Sequence, residues 1–185
     1  MAEMESSFEE LLETLKVAAA ALRDADVPFV LGGGLAIWAR GGPETEHDVD
    51  FFVKPEDAER AWKALEESGF RTEEPPEGWL YKGFLNGVMV DLIYAPRGLA
   101  VNDEFLDRAE PLEVHAVRMR VMSANDVLVA KLLAMREHQV DYDQVLEMAR
   151  TVREQIDWDE LRARTTESPF AKAFFTLVDE LGVSA

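Results

Sequence analysis

Apolar positions at helical spacing open the chain. Phe8, Leu11, Leu12, Leu15, Ala19 and Leu22 predict an amphipathic helix over residues 5–23, with Ser6 or Ser7 placed to cap its start. Asp24-Ala25-Asp26-Val27-Pro28 ends that pattern. Phe29-Val30-Leu31 then reads as a short buried strand, and Gly32-Gly33-Gly34 opens a helix from Leu35 to Ala39. Gly41-Gly42-Pro43 is a loop, and Val49 to Val53 is a second strand. Pro55 to Ser68 reads as a helix with proline in its first turn, Ala58, Ala61, Trp62 and Leu65 as its buried stripe, and Gly69 as its stop.

After a short strand at Phe70–Thr72 and a polar loop over residues 73–78, the pattern changes to alternation. Trp79 to Tyr94 contains two β-rich runs around Asn86-Gly87, the pair that suits a type I′ hairpin turn. On the returning strand Val88, Val90 and Leu92 share one face, and Met89, Asp91 and Ile93 the other, so Asp91 is a lone charge in an apolar strand. Residues 97–108 read as a loop with one helical turn, and Glu113 to Met122 as a last strand. From Ser123 the texture is helical. Ser123 with Asp126 resembles a capping box, and helices are expected over residues 123–138, 141–155, 157–165 and 169–181. The pattern predicts an α+β fold: a small mixed, mostly antiparallel sheet with flanking helices (residues 1–122), and a helical lobe (residues 123–185) packed on it as one compact unit.

Composition narrows the class. At 48% hydrophobic residues the chain is globular, and with no cysteine it has no disulfide, no thiolate nucleophile and no zinc–thiolate site. His47, His115 and His138 show no metal-ligand spacing. No apolar run reaches the roughly 18–20 residues of a membrane span. The acidic start, MAEMESSFEELLETL, lacks the regions of a signal peptide, so a cytoplasmic location is expected. The net charge of −18 opposes a DNA or RNA surface and suits a cationic small molecule or a basic protein partner. The acidity serves solubility equally well. A local basic strip around Arg118, Arg120, Lys131 and Arg136 runs against the average.

Against this background the stretch FVLGGGLAIWARGGPETEHDVDFFV carries the candidate chemistry. Asp48 and Asp50, one residue apart at the mouth of an apolar strand, point to the same side of a sheet. Like charges held that close are best tolerated with a cation between them. With Asp91 from a neighbouring strand they form a set able to hold one or two Mg²⁺ ions. Gly33 and Gly34 either present backbone N–H groups to phosphates or form a plain tight turn. Lys131 lies with Val127, Leu128 and Met135 on one helix face, where it either snorkels outward or meets a buried anion. Trp79, Tyr81 and Tyr94, and the helical-spaced Phe170, Phe174, Phe175 and Leu177, fit packing roles first.

The order strand, Gly33-Gly34, helix, Asp48-Val49-Asp50 on a strand, then Asp91 on a later strand resembles the nucleotidyltransferase superfamily of the DNA polymerase β type. Within it the chain is similar to small stand-alone bacterial members: the AbiEii-like transferases of toxin–antitoxin systems and the minimal aminoglycoside or lincosamide nucleotidyltransferases. The resemblance covers residues 10–145 and implies NMP transfer from an NTP to an acceptor hydroxyl, with release of pyrophosphate. It implies that Gly33 and Gly34 cradle the triphosphate and that Asp48 and Asp50 bind Mg²⁺. Asp91 would complete the metal site or act as general base, and Lys131 would contact phosphate with support from Asp141. The chain departs from the superfamily pattern where Gly34 replaces a common serine. It departs again where Glu44-Thr45-Glu46-His47 replaces a basic residue, which implies that triphosphate binding there is weaker or relies on Arg40 as the nucleotide-binding cation. The acceptor stays open among a small cationic molecule, an RNA end and a protein. A catalytically silent nucleotide-binding or toxin–antitoxin partner of the same fold is the competing reading, and a structural protein with an incidental acidic cluster the third.

Overall fold

A computed structural model describes residues 7–45 and 48–184, so Ser6, Glu46 and His47 lie outside the described residues. Helix α1 (Phe8–Asp24) starts at a reciprocal cap: Ser7 Oγ accepts from Glu10 N, and Glu10 Oε2 accepts from Ser7 N. Strand β1 (Phe29–Leu31) leads through Gly32 into helix α2 (Gly33–Ala39), and β2 (Asp48–Val53) follows. Helix α3 (Ala58–Glu67), β3 (Arg71–Glu73), β4 (Leu80–Leu85) and β5 (Val88–Ile93) come next. Asn86 and Gly87 both have positive φ, as a type I′ turn requires. Then come α4 (Asp103–Arg108), β6 (Glu110–Val114) and β7 (Val117–Val121). Helices α5 (Ala124–Ala134), α6 (Tyr142–Thr151), α7 (Trp158–Arg164) and α8 (Pro169–Glu180) complete the chain.

The seven strands form one sheet in the order β3-β4-β5-β2-β1-β7-β6. The pairings β1–β7 and β2–β5 are parallel and the other four antiparallel, which is the mixed, mostly antiparallel sheet expected. Helices α1 and α3 pack on one face. Gly83 of β4 faces α3 closely enough that a Cβ there would sit 3.1 Å from Leu65. Val90, opposite Gly83 in the β4–β5 register, shares that face, so Asp91 looks to the other side. There α5 crosses. Its apolar residues Val127, Leu128, Val129 and Leu132 are buried all round, because it packs against α2, α6, α7 and α8 together. Phe174 and Phe175 of α8 are core.

Three expectations need correction. Residues 113–122 are not one strand: β6 and β7 form a hairpin whose turn, His115-Ala116, has positive φ at both residues without glycine or asparagine. Helix α5 stops at Ala134 rather than His138, because Met135 is extended and Arg136 and Gln139 pair across a tight turn. The turn before β6 is a six-residue helix, α4, capped by Asn102.

Candidate active site

The β2–β5 register puts Asp50 directly opposite Asp91, and the β4–β5 register puts Asp91 opposite Lys82. The three carboxylates Asp48, Asp50 and Asp91 each offer an oxygen within 4.8 Å of the others. Lys82 Nζ lies 3.0 Å from Asp91 Oδ1 and 3.1 Å from Met89 Sδ. Asp50 is 9% and Asp91 8% exposed, so both charges stand in a poorly solvated place. Burial, then repulsion by Asp48, pushes the Asp50 carboxyl up to about 7, against the pull of Lys131. Burial raises Asp91 too, with Lys82 opposing. Three acidic groups whose charged forms are unfavourable side by side suit an oxygen-liganded divalent cation, so the donor set fits Mg²⁺.

Gly33 is fixed by this packing. Its φ is +58°, and a Cβ on it would fall 1.7 Å from Asp50 Oδ2. At Gly34 a Cβ would meet Thr45 Oγ1 at 2.7 Å, so a serine there has no room without rearrangement. A cavity of about 170 Å³ opens beside the carboxylates between the sheet and α5. Asp50, Asp91, Gly33 and Lys131 supply its polar edge, and Phe52, Trp79, Ile93 and Val127 its apolar wall. Lys131 is half-buried and donates to Gln144 Oε1 at 3.1 Å. Asp141, expected to support Lys131, instead caps α6 by accepting from Gln144 N, so the support comes from Gln144.

Arg40 is not brought to the cluster. Its guanidinium donates to the carbonyls of Met122 (2.6 Å) and Val121 (3.2 Å) and pairs with Glu110. At the C-terminal end of α2 it ties that helix to β7 instead of facing a ligand. Tyr81 stacks on Trp62 at 4.8 Å and touches Tyr94, so of the three aromatic candidates Trp79 alone lines this cavity. Arg118 and Arg120 line a different cavity with Arg23, apart from Lys131, so the expected basic strip is divided. Lys82 was legible and missed: a two-residue turn at 86–87 pairs Leu85 with Val88, and counting back three residues on each side pairs Lys82 with Asp91.

A mixed sheet carries a glycine turn and three converging strand carboxylates beside an apolar cavity, the arrangement expected of a nucleotidyltransferase-type fold. Residues 5–179 match the family described as uncharacterised nucleotidyltransferase, and the chain belongs to that family. Among solved structures it is similar to the antibiotic-resistance factor ANT(2'')-Ia, with TM-score 0.66 and 15% identity over 92% of this chain and 96% of that one. The lincosamide antibiotic adenylyltransferase LnuA, lincomycin-bound, gives TM-score 0.57 and 12% identity over 78% and 97%. An antigenic nucleotidyltransferase-like protein from Paracoccidioides brasiliensis gives 0.53 and 16% over 92% and 88%. At these identities the likeness is one of fold. None of the curated protein sequences is similar enough to match. Among the described residues no helix is long and apolar enough to cross a membrane.

Proposed function

We propose that this protein is a Mg²⁺-dependent nucleotidyltransferase that moves a nucleoside monophosphate from an NTP to an acceptor hydroxyl. The observation that carries the reading is the convergence of Asp48, Asp50 and Asp91 in a family of nucleotidyltransferases. Asp48 and Asp50 hold the metal, and Asp91 either joins them or takes the acceptor proton. Bound there, Mg²⁺ would supply neutralisation of the triphosphate charge and a clamp on the attacking and leaving oxygens. Gly33 and Gly34 let the chain approach the phosphates, and Lys131, steadied by Gln144, pairs with them. The acceptor oxygen forms a bond to the α-phosphorus, the bond from that phosphorus to the bridging oxygen breaks, and pyrophosphate leaves. The acceptor's proton passes to a carboxylate. Residues 1–122 act as the catalytic core, and the helices of 123–185 close the cavity through Lys131.

Charge favours a small cationic acceptor. Beside Gly34 a second cavity of about 370 Å³ is lined by Glu44, Asp141, Asp143 and Glu147. The ANT(2'')-Ia structure with adenylyl-2''-tobramycin and the lincomycin-bound LnuA are of proteins with this fold that take small molecules. Such a lining repels an RNA end. Incubation with each α-labelled NTP, Mg²⁺ and a panel of hydroxylated polyamines tests the reading. Label transferred to one acceptor with matching pyrophosphate supports it, and no transfer to any acceptor or to water counts against turnover. A nucleotide-binding partner without turnover is the second reading, favoured by the engagement of Arg40 with β7. An NTP-dependent rise in Tm without product would select it.

A further inference from the structure

Across four strands the register sets one row of charges: Glu73, Lys82, Asp91 and Asp50. Lys82 has an acid on either side. Glu73 is exposed and engaged by Arg71, whereas Asp91 is buried and lies beside two further carboxylates. Lys82 Nζ contacts Asp91, and its side chain is 25% exposed. An ammonium in so weakly solvated a place offsets about one of the three negative charges. With Lys131 on the same cavity and all three carboxyls ionised, the form a divalent cation binds, the group carries three negative and two positive charges.

We propose that Lys82 is a positioning residue that holds the place of a divalent cation: it occupies Asp91 Oδ1 in the metal-free protein and competes with the incoming ion for that oxygen. This rests on the metal reading given under Proposed function. Lys82 keeps Asp91 aimed into the site and limits how far mutual repulsion opens the cluster. It also makes the site a poor trap for a free ion, since a divalent cation meets one negative charge in excess rather than two. Removing the ammonium both frees a carboxylate oxygen and deletes a repelling charge about one side chain away from the ion. For a doubly charged ion this is worth about tenfold or more in affinity even with water-like screening.

The test is a Mn²⁺ titration of the whole chain, followed by spin resonance of free Mn²⁺, without nucleotide. Lys82→Met is expected to bind Mn²⁺ about tenfold or more tighter than the natural protein, and Lys82→Arg, which restores the charge, to return to within about threefold of it. Lys82→Gln, able to hydrogen-bond Asp91, carries the test if the methionine variant does not fold. Asp50→Asn is run alongside. If it loses Mn²⁺ binding while both neutral Lys82 variants match the natural protein or bind more weakly, the place-holder proposal is overturned and the metal reading stands. If Asp50→Asn binds Mn²⁺ as the natural protein does, the ion is not at this cluster and both fall.

Discussion

Asp126 at the start of α5 and Asp50 in β2 are both buried, 2% and 9% exposed, and their surroundings differ in kind. Asp126 accepts from Arg164 at 2.6 Å and Arg108 at 3.3 Å and is bonded by Ser123 Oγ at 3.1 Å. Two guanidinium groups and a hydroxyl more than meet its charge, and they come from α4, from the residue that caps α5, and from α7. Asp50 instead faces Asp48 and Asp91, and among the described residues no side chain donates a hydrogen bond to its carboxylate. The pair separates two uses of a buried charge. A carboxylate the fold satisfies with its own cations joins elements together, and one left in a negative excess is, on the function proposed above, kept for a cation from outside.

The largest expected effect breaks this comparison at its chemical end. Asp50→Asn should lower any transferase activity by about a thousandfold or more, since an electrostatic group acting at the reacting centre is lost. Far-ultraviolet circular dichroism should stay unchanged. The same substitution at Asp126 should act on stability instead. Breaking that buried network leaves Arg164 short of its partner and is expected to cost about 2–4 kcal/mol, read as a lower midpoint in urea. Metal-free Asp50→Asn should lose no stability and should gain some. If both variants destabilise equally, the distinction between satisfied and unsatisfied carboxylates fails.

The pH dependence sharpens the same contrast. Asp50 titrates at about 7 in the folded protein, against 3.8 ordinarily. Between those values the folded state keeps a proton that the unfolded chain has released. Its contribution to stability is therefore complete at low pH and is lost as pH rises through about 7. Without divalent ions, the Tm advantage of Asp50→Asn over the natural protein should grow between pH 5 and pH 8. An advantage that shrinks over that range contradicts the burial of an unpaired charge.

Smaller effects divide the two arginine and lysine assignments. Lys131→Met should weaken NTP binding about tenfold with little change in Tm. Arg40→Ala should lower stability by about 1–3 kcal/mol, since it leaves two carbonyls of the β7 end unpaired, and leave NTP affinity within about threefold. The smallest expected change is at the β6–β7 turn. Ala116→Gly should stabilise by about 0.5–1 kcal/mol, because its φ of +63° is strained for alanine.

What the sequence made legible follows from period and turn chemistry. Alternation put Asp48 and Asp50 on one side and singled out Asp91, and Asn86-Gly87 marked its hairpin. The β6–β7 hairpin stayed hidden because His115-Ala116 carries no glycine, asparagine or aspartate, the residues that mark a two-residue hairpin turn. Arg40 was misplaced because a helix end points where its packing turns it, and the pairing of β1 with β7 that sets its partners lies about 90 residues apart in sequence. The end of α5 has no glycine or proline to announce it, and pairing of Arg136 with Gln139 decides it. Asp126 showed only as a helix cap, since the two arginines that meet its charge come from other helices.

The most direct measurement is anomalous diffraction from crystals of the protein soaked with Mn²⁺ and a non-hydrolysable NTP. A peak bounded by Asp48, Asp50 and Asp91, with the triphosphate against Gly33 and Lys131, is the predicted result. Nucleotide bound elsewhere, or Mn²⁺ absent from the three aspartates at saturating concentration, would contradict the account.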